Sequence, residues 1–414
     1  MTNEARINRR HVTMFLLAAC MAALGTAAVN FLVDPYGLFG VERFEGFNAR
    51  KPASAERVRV IKPYLAEQTR PRTVIGGNSR PEMGLDPQSA CWAPEEKPVF
   101  NAGIPGAGLR MQTLYARHAV LSGNATTVLM GVDLLDFLTS SAAHQRGRTT
   151  AARRSEDERR LRLSATAEQN RDTTTQRLTD QVTGLFSLVA LSDSVATVLA
   201  QRNAFSATRH QDGFNPALDY IPIVRTEGQA VLFAQKNQEV RARLQREDLS
   251  LQDAGGKRAH AFDALEEFLV WARDADLRVI LFINPYHADY LLLIEQTGKW
   301  PLLEKWKREL VHVADRYQVP LWDFNVLEPR TSELPPAAGD RNTILQWFWE
   351  PAHYRKELGD VMLATMLDRP CAPLDDASRM GLKLSGNLVD AHLKGLRLVL
   401  LNHPRSRPAL DPLH

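Results

Sequence analysis

The chain has 414 residues and a formal net charge of +3, with 44% hydrophobic and 24% charged residues. This is the composition of an ordinary globular protein, long enough for one large core with an elaboration or for two domains. The small net charge argues against a nucleic-acid partner, and the sequence has no zinc-type Cys/His spacing, phosphate-binding loop or dinucleotide fingerprint.

The first feature along the chain is an uncharged apolar stretch over residues 12–33. At about 22 residues it is long enough to cross a bilayer as a helix. Residues 6–11 carry three arginines and a histidine, so the positive-inside rule places residues 1–11 in the cytoplasm and the remainder on the extracytoplasmic, periplasmic side. A cleaved signal peptide would be shorter, and a lipoprotein site at Cys20 would be followed by polar residues. We therefore predict an uncleaved single-pass anchor in the inner (cytoplasmic) membrane.

Cys91 and Cys371 lie outside this anchor. In an oxidising compartment two such cysteines can form a disulfide bond. Two unrelated buried thiols are an equally good interpretation, because the sequence does not supply the geometry.

Strands alternate with helices on both sides of a long interlude. Before it, the pattern predicts a helix over 53–70, strands over 73–76 and 98–100, a helix over 109–121 and a strand over 127–132. After it, the pattern predicts helices near 265–272, 302–317 and 356–367, and strands over 277–283 and 319–322. This alternation indicates an α/β domain with a parallel sheet, built from residues 34–137 and 256–370.

Residues 138–255 interrupt the alternation, and we interpret them as a mostly helical insertion. Their part over 144–177 is rich in Arg, Thr and Glu, which is typical of a solvated helix or loop, with a basic lid over an anionic polymer as the alternative. The part over 185–199 is more apolar, with helical spacing, and is predicted to pack on the main domain or near the membrane. Residues 371–414 are predicted to form a C-terminal appendage.

Two motifs near opposite ends of the chain carry candidate chemistry. The first, Gly-Asn-Ser-Arg at 77–80, follows a buried strand, and a serine on such a turn lies at the sheet edge where open α/β folds place reacting groups. The second, Glu-Pro-Ala-His at 350–353, precedes a helix. Ser79, His353 and Glu350 are therefore candidates for a nucleophile, its general base and the acid that orients the base. A helix-capping Ser79 and an ordinary exposed His353 are the alternatives.

The order of these motifs resembles the SGNH (GDSL-like) hydrolase superfamily. Residues 77–79 resemble its first block, residues 101–106 its second, with Gly106 at the oxyanion glycine, and residues 131–133 its third. The resemblance covers residues 70–137 and 260–370. It implies a three-layer, flavodoxin-like fold with an oxyanion hole formed at Ser79, Gly106 and the position of Asp133.

The sequence departs from the family pattern at three of these positions. Asn78 stands where Asp is usual, Asp133 where the family has Asn, and Glu350 where it has Asp. An oxyanion hole needs hydrogen-bond donors, whereas a carboxylate only accepts. Asp133 is therefore protonated, or points away and organises a loop, or the hole uses only the backbone N–H groups of Ser79 and Gly106. At Glu350, the extra methylene still allows a hydrogen bond to the imidazole.

The anchor, the sequence Val-Asp-Pro-Tyr-Gly at 33–37 and the motif at 350–354 are similar to membrane-anchored, extracytoplasmic members of this superfamily. Those relatives include the alginate O-acetylation proteins and the D-alanine transfer protein of teichoic acid modification. The resemblance implies a serine acyltransferase or esterase acting on acyl groups of a cell-surface or exported polysaccharide. An acyl donor, the polysaccharide and a membrane-bound acyl carrier or transporter are the implied partners, and no metal or organic cofactor is implied. A non-catalytic glycan-binding or scaffold protein of an envelope complex is the alternative.

Further polar residues at the same sheet edge are candidate substrate contacts. Asn284, Tyr286 and His287 follow the strand over 277–283, and Arg80 follows the proposed nucleophile. A turn with an exposed histidine is an equally good interpretation of residues 284–287. Arg80 has a second interpretation as the ion-pair partner of Glu82.

Overall fold

The computed structural model describes residues 3–140, 156–163, 170, 172–246, 248–253, 255–371 and 379–404. The described strands are β1 (Thr73–Gly76), β2 (Val99–Asn101), β3 (Thr127–Val132), β4 (Arg278–Ile283), β5 (Leu321–Asp323), β6 (Phe348–Glu350), β7 (His353–Tyr354) and β8 (Leu382–Leu384). The described helices up to the insertion are α1 (Asn3–Val33), α2 (Pro52–Glu56), α3 (Val58–Thr69), α4 (Ser79–Gly84), α5 (Leu109–Ser122) and α6 (Leu134–Phe137). Those that follow are α7 (Thr173–Phe186), α8 (Leu188–Ala200), α9 (Tyr220–Glu227), α10 (Gln229–Leu244), α11 (His260–Asp274), α12 (Ala288–Gln296), α13 (Trp300–Tyr317), α14 (Lys356–Met366) and α15 (Val389–Leu401).

A six-stranded sheet in the order β2-β1-β3-β4-β5-β8 forms the centre of the fold. The first five strands are parallel, and β8 pairs antiparallel with β5. The prediction of an α/β domain with a parallel sheet is confirmed in this mixed form. After β1 the chain first adds β2 on one side and then β3 on the other, so a crevice opens at the carboxyl ends of β1 and β3.

Apolar side chains cover both faces of this sheet. Val74 and Val128 contribute to one core cluster, whereas their chain neighbours Ile75 and Leu129 contribute to another. All four side chains are fully buried. Successive strand residues point to opposite faces, so these uninterrupted apolar runs produce a sheet with a core on each side.

The N-terminal helix is long and apolar enough to span a membrane over Asn8–Val33, and an 18-residue stretch of it has a mean hydropathy of 2.1. Its last carbonyls are held by the α/β domain. The fully buried Lys51 Nζ donates to the Val33 carbonyl at 2.9 Å and to the Asp34 carbonyl at 2.6 Å. Because a helix end leaves carbonyl groups without intrahelical partners, this ammonium group both satisfies them and fixes where the anchor leaves the domain.

The segment of the insertion around residues 209–212 packs at the β2 edge of the sheet. Asn101 N–H donates to the Asp212 carbonyl at 2.8 Å, beside strand β2. Arg209 Nε donates to the buried carboxylate of Glu82 in α4 at 3.0 Å, and Lys62 Nζ lies 3.0 Å from the same carboxylate. The insertion therefore supports the helix that begins at Ser79.

The predicted basic segment over 144–177 lies partly outside the described residues. Of its described arginines, Arg160 pairs with Asp180 at 2.6 Å. Arg162 Nε lies 3.3 Å from the carboxylate of Glu67, which Arg177 also contacts. These arginines are engaged with carboxylates of the protein itself, which does not favour the basic lid.

The C-terminal segment is part of the α/β domain where the structure describes it. Strand β8 aligns Leu384 with Leu321 of β5, and the leucines of α15 at 393, 396 and 400 are buried in the main core. His392 Nε2 lies 2.9 Å from the Asp323 carboxylate, which is also bound by Lys307 at 2.6 Å. The predicted appendage at 371–414 is wrong for these residues, because the sheet edge that β8 covers is formed only after the domain folds.

A disulfide bond joins Cys91 to Cys371, with their Cα atoms 4.8 Å apart. The two cysteines are separated by 280 positions in the chain. The bond decides between the two interpretations of these cysteines and is of the kind found in extracytoplasmic proteins. It fastens the chain after α14 to the loop before β2.

We predict that breaking this bond lowers stability without changing the fold. Cross-linking distant positions restricts the unfolded chain, and such bonds contribute about 2–4 kcal/mol. Cys371→Ser should therefore lower the thermal midpoint of the full-length protein in detergent. Cys20→Ser, in the anchor, is the control and should leave the midpoint unchanged. An unchanged midpoint for Cys371→Ser would contradict the prediction.

Candidate active site

Ser79 occupies a sharp turn between β1 and α4. Gly77 has a φ of +141°, and a Cβ atom there would lie 2.5 Å from Pro81 Cγ and 3.2 Å from the Gly131 carbonyl oxygen. Only glycine fits this position without a rearrangement of its neighbours. Asn78 caps α4 by accepting a hydrogen bond from Arg80 N–H at 3.0 Å. The turn therefore presents Ser79 at the carboxyl end of β1.

The histidine motif lies on a two-stranded antiparallel ribbon that precedes α14. Glu350 at the end of β6 is paired with His353 at the start of β7, and Pro351 and Ala352 form the turn between them. The sequence predicted helix α14 but not this ribbon. The ribbon brings the carboxylate and the imidazole together through a local turn.

The three predicted catalytic side chains form a continuous hydrogen-bonded chain. Ser79 Oγ lies 2.7 Å from His353 Nε2, and His353 Nδ1 contacts Glu350 Oε1. Glu350 Oε2 accepts from Ala352 N–H at 2.7 Å. A carboxylate at Nδ1 favours the tautomer with its proton there, which leaves the Nε2 lone pair to accept the serine proton.

The environment keeps the acid charged and the other two groups accessible. Burial raises the pKa of the Glu350 carboxyl, but attraction to His353 and hydrogen bonds from His353 and Ala352 outweigh it, so this pKa lies below its ordinary value. Glu350 is 2% exposed, whereas Ser79 is partly exposed and the His353 side chain is 13% exposed. The reacting atoms can therefore be reached from solvent.

Asp133 does not donate to an oxyanion, so the oxyanion role considered for it is wrong. Its fully buried carboxylate forms an ion pair with Arg80 and accepts from the Tyr286 hydroxyl at 2.5 Å. Arg80 Nε in turn donates to the Ala352 carbonyl at 2.8 Å, in the turn between Glu350 and His353. Of the three possibilities for Asp133, the structure shows the one in which it organises a neighbouring segment.

The prediction that Arg80, Asn284, Tyr286 and His287 contact substrate is also wrong. All four side chains are buried, the last three with no exposed surface. Asn284 donates to a strand carbonyl at 3.2 Å and accepts from a tyrosine hydroxyl at 3.1 Å. His287 caps α12 and its Nε2 lies 2.8 Å from a backbone carbonyl oxygen. Buried and engaged in this way, the four side chains offer a substrate little or no surface.

Backbone donors near the nucleophile remain available for an oxyanion. Gly106 is exposed, with a φ of +63°. Within the described residues, neither the Ser79 N–H nor the Gly106 N–H donates to a protein acceptor. The segment before Gly106 lies against the nucleophile turn, since Ile104 N–H donates to the Gly77 carbonyl at 2.9 Å. The oxyanion role of Gly106 stays a prediction.

Sequence reasoning missed a polar cluster behind the nucleophile. Asp136 Oδ2 accepts from Asn78 Nδ2 at 3.1 Å and from Gln112 Nε2 at 2.8 Å. Burial and the neighbouring Asp133 carboxylate raise the pKa of Asp136 to about 7. Its position three residues after Asp133, in the short helix α6 that follows β3, was the available signal.

Comparisons of the chain with protein-family models, curated proteins and solved structures found no match. The functional conclusion therefore depends on the chemistry of the site. The strongest support for that conclusion is the hydrogen-bonded contact of Ser79 with His353 and of His353 with Glu350.

We predict that the Arg80–Asp133 pair is strongly coupled. Removing one member of a buried pair leaves an uncompensated charge and costs about 3–5 kcal/mol. Arg80→Met should destabilise the protein by this amount, and much less in an Asp133→Leu background. Unfolding free energies of the two single variants and the double variant measure the coupling. Arg273→Met, which breaks an exposed pair with Asp274, is the control and should cost less than about 1 kcal/mol. Equal costs in both backgrounds would contradict the coupling.

A second prediction concerns the pH dependence of stability. The raised pKa of Asp136, about 7 against an ordinary 3.8, means that the folded state holds this proton more tightly than the unfolded state. The resulting stabilisation is present at low pH and is lost as pH rises towards 7. Asp136→Asn keeps an acceptor for Asn78 and Gln112 and should remove this loss. Unfolding free energies of both proteins between about pH 5 and pH 8 test this. Parallel curves would rule out the contribution of Asp136.

Proposed function

We propose that this protein is a membrane-anchored serine acyltransferase or esterase with an SGNH-like, flavodoxin-like fold. It would act outside the cytoplasm on acyl groups of a cell-surface or exported polysaccharide. The observation that carries the proposal is the chain from Ser79 Oγ to His353 Nε2, at 2.7 Å, and on to Glu350. The strand order β2-β1-β3-β4-β5 supports it, because folds with this order bind ligands at the crevice where Ser79 lies.

The proposed reaction proceeds through an acyl-enzyme. His353 Nε2 takes the proton from Ser79 Oγ as the oxygen attacks the carbonyl carbon of the acyl donor. Glu350 stabilises the imidazolium, and the N–H groups of Ser79 and Gly106 face the developing negative charge. His353 then protonates the leaving group as its bond to the acyl carbon breaks.

The second half of the reaction repeats these steps with a new nucleophile. A sugar hydroxyl or a water loses its proton to His353 and attacks the acyl-enzyme. The acyl group passes to that oxygen, and the proton returns to Ser79. These proton transfers need only groups of the protein, and they give transfer with a sugar acceptor or hydrolysis with water.

A fluorophosphonate probe tests the nucleophile directly. We expect the full-length protein in detergent to gain one covalent adduct, which peptide mass spectrometry should locate at Ser79. Ser79→Ala should abolish labelling, because the attacking oxygen is gone. His353→Gln and Glu350→Gln should slow it by about 10²–10⁴-fold, because they remove the base or its orienting acid.

Matched controls distinguish the enzyme from a binding module. Ser385→Ala removes a hydroxyl that only contacts Asn387 at 2.8 Å and should leave the labelling rate unchanged. If the folded protein is not labelled but binds acylated polysaccharide, the non-catalytic alternative replaces the enzyme. Labelling at a serine other than Ser79 would also contradict the proposed mechanism.

A further inference from the structure

The two helices α7 and α8 of the insertion expose large apolar side chains. Those of α7 recur at four-residue intervals, and those of α8 follow at helical spacing, so each helix carries an apolar stripe. Their exposed fractions lie between 48% and 75%. We call these residues the apolar platform: Leu178, Val182, Phe186, Leu188, Val195 and Leu199. Soluble proteins rarely expose an apolar patch of this kind unless it binds a partner or a membrane.

The charged residues of both helices face the protein. Asp180 accepts from Arg160 at 2.6 Å, and Asp193 accepts from the Tyr36 hydroxyl at 2.5 Å. Arg177 contacts a glutamate of α3. These three are the only charged residues of the helices, so the exposed stripes carry no charge. A water-facing helix normally shows the reverse arrangement, with charges outward.

The platform adjoins the end of the membrane-spanning helix. Asn30 of α1 is fully buried, and its Nδ2 donates to the carbonyls of Leu185 at 2.8 Å and Ser187 at 3.3 Å, where α7 ends and α8 begins. Its Oδ1 accepts from Ser194 Oγ at 2.9 Å. The Ser187 carbonyl also accepts from Leu191 N–H at 3.1 Å, whereas Asn30 supplies the partner of the Leu185 carbonyl, which would be costly to leave unpaired in hydrocarbon.

The depth of this contact follows from the position of Asn30. It lies three residues before the end of α1 at Val33, which is about 4.5 Å along the helix axis. The break between α7 and α8 is therefore at the outer edge of the apolar span. This is the level of the bilayer interface, where amphipathic helices bind.

The two helices do not cross the membrane, because both outer ends are attached to the domain. Their axes bend by 65° at the break. At the start of α7, Thr173 Oγ1 donates to the Leu161 carbonyl at 3.0 Å, and the adjoining Arg162 N–H donates to His118 Nδ1 of α5 at 3.1 Å. After α8, Gln201 Nε2 donates to the Arg50 carbonyl at 2.7 Å. Helices α7 and α8 therefore form a hairpin-like excursion whose two outer ends both contact the domain.

We propose that the apolar platform is inserted among the lipid acyl chains of the outer leaflet, beside α1. The absence of charge on the stripes and their continuity with the spanning helix identify lipid as the occupant. Together α1, α7 and α8 give the domain a broad membrane contact that fixes its height and tilt above the bilayer. This inference is independent of the catalytic function proposed above.

Fluorescence quenching by spin-labelled lipids tests the insertion. The full-length protein with Cys20→Ser and the Cys91–Cys371 bond intact receives Leu188→Cys or Leu199→Cys, labelled with an environment-sensitive fluorophore. It is placed in nanodiscs of phosphatidylcholine and phosphatidylglycerol, with nitroxides near the headgroup end or near the middle of the acyl chains. Leu334→Cys, at an exposed leucine outside the platform, is the matched control. Met21→Cys, near the middle of the apolar stretch of α1, reports the hydrocarbon centre.

We expect several-fold stronger quenching at Leu188→Cys and Leu199→Cys than at Leu334→Cys, with the nitroxide near the headgroup more effective. Met21→Cys should show the opposite depth preference. Quenching at the platform no greater than at Leu334→Cys would overturn the proposal. The same holds if the platform labels are shielded only when another membrane protein is added, since a protein would then be the occupant.

Discussion

The buried ion pair between Arg80 and Asp133 is the interaction on which the site depends. It connects the turn that carries Ser79 to the end of β3, and through the Ala352 carbonyl it reaches the turn between Glu350 and His353. Two charges removed from water are costly unless their remaining hydrogen-bonding capacity is used. Here the Tyr286 hydroxyl donates to the carboxylate, and the guanidinium carbon lies 5.0 Å from the centre of the Tyr286 ring. The pair thereby links the two turns that carry the nucleophile and the base.

Two departures from the SGNH pattern that the sequence resembles, at Asn78 and Asp133, belong to one electrostatic arrangement. Asp133 and Asp136 place two carboxylates behind the nucleophile, and the Asn78 amide donates towards both, at 3.4 Å and 3.1 Å. An aspartate at position 78 would add a third carboxylate that repels the other two. Asn78 therefore suits the carboxylate at Asp133, and Arg80 compensates its charge. A carboxylate at position 133 cannot donate to an oxyanion as an Asn side chain could, so the proposed mechanism relies on backbone N–H groups.

Buried polar side chains also fix the position of α1 relative to the domain. Lys51 holds the last carbonyls of α1, and Asn30 holds the break between α7 and α8. Both side chains are fully buried. Buried backbone carbonyls need a hydrogen-bond donor, and neither lipid nor excluded water can supply one, so these two side chains provide it. With the apolar platform inserted as proposed, these two attachments of α1 would hold the crevice at a constant height above the bilayer.

The sequence by itself determined the features that depend on neighbouring residues. Uninterrupted apolar runs predicted the parallel strands, the length of residues 12–33 predicted a helix able to span a membrane, and the motifs around Ser79 and His353 predicted residues that the fold brings within hydrogen-bond distance. Only the tertiary structure decided the features that need distant partners. Three of them are contacts between segments far apart in the chain: the disulfide, the pairing of β8 with β5, and the ion pair of the buried Asp133 with Arg80. Hydrophobic periodicity predicts which face of a helix or strand is buried, but it does not predict which distant residues pack against that face.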